Sequence, residues 1–114
     1  MRTVRRGEVW PADLNPTRGH EQTGQRPILV VSADPFTQSP AGLVIAVPLT
    51  TRNREVPTHI EVRPPDGGLR EVSFAMCEQL RALAADRLGS RPFGSVPAPV
   101  MRAVEDRLRL LLDL

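Results

Sequence analysis

Two segments of this chain, Pro27 to Ala33 and Leu43 to Leu49, are apolar at odd and even positions alike, and most of their residues are β-branched or aliphatic. A strand with one wet face alternates polar and apolar residues, so a continuously apolar strand must be covered on both sides. These two segments are therefore predicted to be neighbouring central strands. The stretch between them, Asp34 to Pro40, reads as a Pro-bounded turn or a short helical piece, and Pro48 is expected to end the second strand's ladder.

The remaining elements arrange themselves around that pair. Gly7 to Ala12 reads as a short edge strand, because Pro11 is tolerable only where no ladder donor is needed. Leu14 to Gln25 is a polar stretch rich in turn residues, long for a connection in a compact domain and of the kind that carries function. Val56 to Val62 alternates, with Val56, Thr58, Ile60 and Val62 on one face and Pro57, His59 and Glu61 on the other, as a half-buried strand does. Pro64 to Gly68 is a turn by composition. Val72 to Cys77 and Gln79 to Ala84 are expected to form two further strands, or a strand and a distorted turn. From Pro97 or Ala98 to Leu112, apolar residues recur every three or four positions, which predicts a C-terminal amphipathic helix with its prolines in the first turn. Short strands followed by one helix give an α+β chain, mainly β: a small, twisted antiparallel sheet or open barrel with the helix packed across it.

Size and composition fit that picture. At 114 residues the chain is read as a single domain, residues 1 to 114, with 40% hydrophobic and 25% charged residues. A chain of this length buries roughly two thirds of its unfolded surface and needs no staple. The lone Cys77 excludes an internal disulfide framework. No apolar run approaches the roughly 20 residues that span a membrane, and no apolar segment follows Arg2, Arg5 and Arg6 as in a signal peptide, so a cytoplasmic protein is expected. The formal net charge is +2, and all 15 basic residues are Arg. Guanidinium groups suit bidentate phosphate contacts, although a GC-rich genome also yields abundant Arg, Ala and Pro.

Several chemistries are excluded by what is missing. Two distant histidines and one cysteine build no cysteine-rich zinc site, and no metal site is expected. Without lysine there is neither a P-loop lysine nor a Schiff base. A Gly-x-Ser-x-Gly elbow is also missing, and Cys77 lies in an apolar stretch. What remains is polar residues at strand ends. If the two central strands are antiparallel neighbours, Arg26, at the start of one, lies close to Thr50, at the end of the other. A guanidinium and a hydroxyl converging on one point form a site for a phosphate or another oxyanion.

The residues around this pair closely resemble a known family. Arg6-Gly7-Glu8-Val9-Trp10, Asn15-Pro16-Thr17, the run from Gly19-His20-Glu21-Gln22 through Gly24-Gln25-Arg26-Pro27, Val47-Pro48-Leu49-Thr50-Thr51 and Pro57-Thr58-His59-Ile60-Glu61-Val62 together resemble the MazF/PemK toxin endoribonucleases of type II toxin-antitoxin systems, over about Arg5 to Leu112. The resemblance implies an SH3-like open barrel of the MazF/CcdB type with a C-terminal helix, a homodimer, and metal-independent, sequence-specific cleavage of single-stranded RNA, mRNA foremost. It also implies neutralisation by a cognate MazE-like antitoxin, with no cofactor and no membrane. Carried over residue by residue, the catalytic arginine and threonine fall on Arg26 and Thr50, and Glu21 matches an acidic residue tied to activity.

Other positions carry two readings each. Thr51 either shares the hydroxyl role or closes a turn, and His59 either lines a substrate groove or acts as an acid/base group. His20 stands where the family usually has a small residue, so it is either a substrate contact or a solvated loop side chain. Gln79 and Arg81 fall in a segment resembling the family's dimer and RNA-binding region, with surface solvation as the alternative. Trp10 either stacks on a base or packs inward. The competing function is a non-catalytic, CcdB-like poison that grips a topoisomerase, which has no need of Arg26 and Thr50 at converging strand ends.

Overall fold

The computed structural model describes residues 2–14 and 25–114. Its centre is the predicted pair, β2 (Gln25–Val30) and β3 (Leu43–Thr50), antiparallel and in register from Ile28 opposite Pro48 to Val30 opposite Ala46. On the far side of β2 lies β1 (Glu8–Asp13), paired from Val9 with Leu29 to Asp13 with Gln25. Beyond β3 come β5 (Ser73–Met76) and then β4 (His59–Val62). The same flank of β3 also receives β6 (Arg81–Ala84), while the two-residue β7 (Gly94–Ser95) closes the other end of the sheet against β1. All of these pairings are antiparallel.

Three departures from the sequence reading have local causes. Pro48 does not end the ladder: β3 runs on to Thr50, and its neighbour on one side changes from β6, along Leu43 to Ala46, to β5, at Leu49 and Thr50. Pro48 falls in the gap between these stretches, where the ladder is already interrupted, so its missing donor is tolerated. β4 starts only at His59, because Pro57 can donate no ladder bond and the His59 N–H closes a turn on the Val56 carbonyl instead (3.0 Å). β1 is not a free edge: β7 covers Glu8 and Val9, and further along Ala12 bridges Leu88 while the Pro11 carbonyl accepts the Gly89 N–H at 2.8 Å, a bond that asks no donor of Pro11.

Because the central strands are apolar on both faces, the sheet carries two cores. On one face, Val9, Leu29, Val47, Leu49 and Val62 pack under α2 (Ala98–Leu112), which contributes Met101 and Val104. On the other, Trp10, Ile28, Val30, Val44 and Ala46 pack with Leu83 and Leu88. The four-residue α1 (Asp34–Thr37) fills the predicted short helical connection. As predicted, α2 holds a proline in its first turn, and it ends at Asp113 in the left-handed conformation, where the Leu114 N–H caps the Arg109 carbonyl (3.0 Å). Among the described residues no helix is long and apolar enough to cross a membrane.

Candidate active site

Arg26 enters β2 immediately before Pro27, and its antiparallel partner on β1 is Ala12. Continuing the β2–β3 register by two residues sets Arg26 opposite Thr50. Directly opposed residues project to the same face of a sheet, so guanidinium and hydroxyl share one side. Thr50 pairs in turn with Phe74 of β5, and Phe74 with Glu61 of β4. Arg26 and Thr50 thus occupy the centre of one row across the sheet, held by strands that are fixed between two cores.

A cleft of about 390 Å³ opens around this pair, lined by Gln25, Arg26, Pro27, Leu49, Thr50, Thr51, Arg52 and Ser73. Among the described residues its lining holds two guanidinium groups and no carboxylate, which makes it a place for an anion. Arg26 is exposed and has no hydrogen bond or ion pair among the described residues. Thr50 is half-buried, and its hydroxyl oxygen accepts the Arg52 N–H at 3.2 Å. That bond closes the turn after β3 and uses a lone pair, leaving the hydroxyl proton available to a ligand oxygen. Thr51 also lines the cleft. Arg52 and Ser73 were not singled out from the sequence; Arg52 follows the Thr-Thr pair directly, whereas Ser73 is brought in only by the pairing of β5 with β3.

His59 lies elsewhere, in a polar group of its own. Its side chain is 4% exposed, and its Nε2 meets Glu78 Oε2 at 3.0 Å, while Glu78 Oε1 accepts the Thr58 hydroxyl at 2.7 Å. Glu78 reaches this position because Cys77–Gln79 forms a 3-10 turn between β5 and β6; the registers of these two strands against β3 differ by three residues, the length of the turn. Burial pushes the Glu78 carboxyl up, but hydrogen bonds from Thr58 and His59 outweigh it and hold it below its usual value. Gln79 and Arg81 are exposed on the turn and at the start of β6, and neither they nor His59 line the Arg26–Thr50 cleft. His20 and Glu21 lie outside the described residues.

Two reactive side chains are packed away. Trp10 is fully buried, with its indole N–H on Glu8 Oε1 (2.9 Å), so it packs inward and offers no stacking face. Cys77 is 1% exposed, and burial, reinforced by the Glu78 charge, pushes its thiol up to about 11. It is no nucleophile. Among the described residues no group of three or more His, Cys, Asp or Glu is placed to hold a metal ion.

Residues 5–112 match the family of PemK-like, MazF-like toxins of type II toxin-antitoxin systems. The chain belongs to the PemK/MazF toxin family. It is 38% identical to endoribonuclease MazF9 of Mycobacterium tuberculosis over 97% of this chain and 98% of that protein. Endoribonuclease EndoA of Bacillus subtilis is 33% identical over 97% and 96% of the two chains. The curled sheet with its C-terminal helix is also that of the family: MazF from Deinococcus radiodurans superposes with a TM-score of 0.82 and 26% identity over the whole of both chains. A mycobacterial endoribonuclease solved with its cognate antitoxin gives a TM-score of 0.76 and 28% identity, over 100% of this chain and 97% of that one. In this PemK/MazF chain, the antiparallel pairing of β2 and β3 brings the strand ends that carry Arg26 and Thr50 together, as the sequence reading expects.

Proposed function

We propose that this PemK/MazF-family toxin is a sequence-specific endoribonuclease that cuts single-stranded RNA without a metal ion, with Arg26 and Thr50 as its catalytic residues. The observation that carries this reading is their shared row on two strands fixed between cores, facing an open cleft that offers cations and hydroxyls. The names of the family relatives, endoribonucleases of similar length, support it over a topoisomerase-binding poison.

In the reaction the RNA supplies its own nucleophile. The 2′-oxygen bonds to the adjacent phosphorus, the bond to the 5′-oxygen breaks, and the products end in a 2′,3′-cyclic phosphate and a 5′-OH. The 2′-OH gives up a proton and the leaving oxygen gains one. Negative charge accumulates on the non-bridging oxygens, where a preorganised donor contributes most. Arg26 serves that charge, since a guanidinium carries only donors and offers no acceptor for the 2′-OH proton. Thr50 donates its hydroxyl proton to a phosphate oxygen, and Thr51 and Arg52 hold the neighbouring backbone in line. Glu21 is assigned to orienting Arg26, and His20, Gln79 and Arg81 to substrate contacts beyond the scissile phosphate; His59, expected from the sequence as a groove or acid/base residue, is instead buried against Glu78 and supports that carboxylate.

The same reading gives a cytoplasmic, single-domain homodimer acting on mRNA to arrest growth, neutralised by a MazE-like antitoxin. Support for the antitoxin comes from the related endoribonuclease solved with its own. Support for self-association comes from Leu110, Leu112 and Leu114, each more than half exposed at the end of α2.

The test is incubation of wild type, Arg26→Ala and Thr50→Ala with a long single-stranded RNA in EDTA, with fragment ends mapped and the same samples sedimented. Discrete cuts by wild type, slowed about 10²- to 10³-fold in either variant as for loss of one oxyanion donor, are expected. No cutting by wild type on varied RNAs overturns the reading, and equal cutting by the variants overturns the site.

A further inference from the structure

Beside the Arg26–Thr50 cleft lies a second one of about 520 Å³ that shares Pro27, Thr51 and Ser73 with it, so the two are continuous. Its far wall is Leu69, Arg70, Pro92 and Phe93. Phe93 is 52% exposed, in a chain whose only tryptophan is fully buried. An exposed aromatic alone means little; here the backbone that carries the ring is fixed from two sides. The Phe93 N–H donates to the Val9 carbonyl at 2.8 Å. From the other side Gly68 packs so closely that a Cβ there would lie 1.9 Å from the Phe93 oxygen, and the Gly68 N–H is held by the Pro65 carbonyl at 2.9 Å. A rigidly mounted ring loses little freedom when a flat ligand stacks on it. Arg70, exposed on the same wall, has no hydrogen bond or ion pair among the described residues.

We propose that this second cleft is a base subsite, in which a nucleobase next to the scissile phosphate stacks on Phe93 while Arg70 takes the phosphate beyond it. The inference rests on the nuclease reading of Arg26 and Thr50. A strand of RNA is the occupant favoured by continuity with the phosphate cleft and by the placement of Arg26, Arg52 and Arg70 along the combined path; single-strand binders join a cationic track to aromatic platforms in this way. Phe93 thereby contributes to holding the strand in place at the cut.

The experiment uses the RNA sites mapped with wild type, compares wild type, Phe93→Ala and Phe93→Trp, and repeats the assay on substrates made abasic at each position flanking the cut in turn. Phe93→Ala is expected to raise KM about 10-fold, the worth of one stacked base, with kcat unchanged, and Phe93→Trp to restore KM. Removing one particular flanking base is expected to cost wild type a similar factor and Phe93→Ala nothing. An unchanged KM in Phe93→Ala, or a raised KM that responds to every abasic position as wild type does, overturns the subsite while leaving the nuclease standing. Failure of wild type to cut overturns the nuclease reading and the subsite together.

Discussion

At the scale of single residues, side chains differ in how far their placement can be read from sequence. Arg26 and Thr50 are legible because each ends an apolar strand, and two adjacent antiparallel strands bring such ends together. The link between His59 and Glu78 is not, because these residues meet across 19 positions through a 3-10 turn that alternation does not encode. That link has a consequence for acid stability. A carboxyl whose folded pKa lies below its unfolded value contributes stability that is complete above the unfolded value and is lost as pH falls through the folded one. For Glu78 the ordinary value is 4.5 and the folded value lower. Thermal melts of wild type and Glu78→Gln are therefore expected to differ at neutral pH and to converge as pH drops below 4.5. A gap in Tm that stays constant down to acid would show that the contacts with Thr58 and His59 do not depend on the charge.

At the scale of elements, glycines separate backbone preference from close packing. Gly42 and Gly68 have nearly the same positive φ, +69° and +67°, but a Cβ at Gly42 meets nothing within 4 Å whereas one at Gly68 collides with the Phe93 backbone. Gly42→Ala is expected to cost about 1 kcal/mol, the price of a left-handed L-residue. Gly68→Ala adds displacement of the segment leading into β7 and is expected to cost about 3 kcal/mol or more. Denaturant melts of the two variants check the difference; equal losses would mean that the contact between Gly68 and Phe93 is readily relaxed. The strands themselves show why sequence locates elements better than it bounds them. Apolar continuity located β2 and β3, and helical spacing located α2. Pro48 and Pro57 were harder, because the effect of a proline depends on whether a partner strand needs its donor. That is decided by β5 and β6, which come later in the chain.

At the scale of the whole molecule, the charge is modest, +2 overall, and what matters is its distribution. Arg26, Arg52 and Arg70 line one continuous path on which, among the described residues, Glu71 is the one carboxylate. Binding of a polyanion there should weaken with salt, because each neutralised phosphate releases counterions. For a single strand, log K against log salt has a slope of about −0.7 per phosphate contact. Arg52→Ala is expected to make the slope for a non-cleavable single-stranded RNA shallower by about 0.7, measured by titration across a salt series. An unchanged slope would remove Arg52 from the path. Overall architecture was legible at this scale because two continuously apolar strands require two covering layers. The clefts were not, since they are made where strand ends from distant parts of the chain meet.

The opposition of Arg26 and Thr50 across the β2–β3 ladder makes the site sensitive to phase. Side chains alternate between faces with a period of two, so losing one residue between Pro27 and Val30, with the core contacts of β1 and β3 kept, turns the guanidinium to the side opposite the hydroxyl. Substitutions along these strands change the site by degrees, but a single-codon deletion there inverts it. In this chain, a change in the count of residues within β2 is more disabling than a change in their kind.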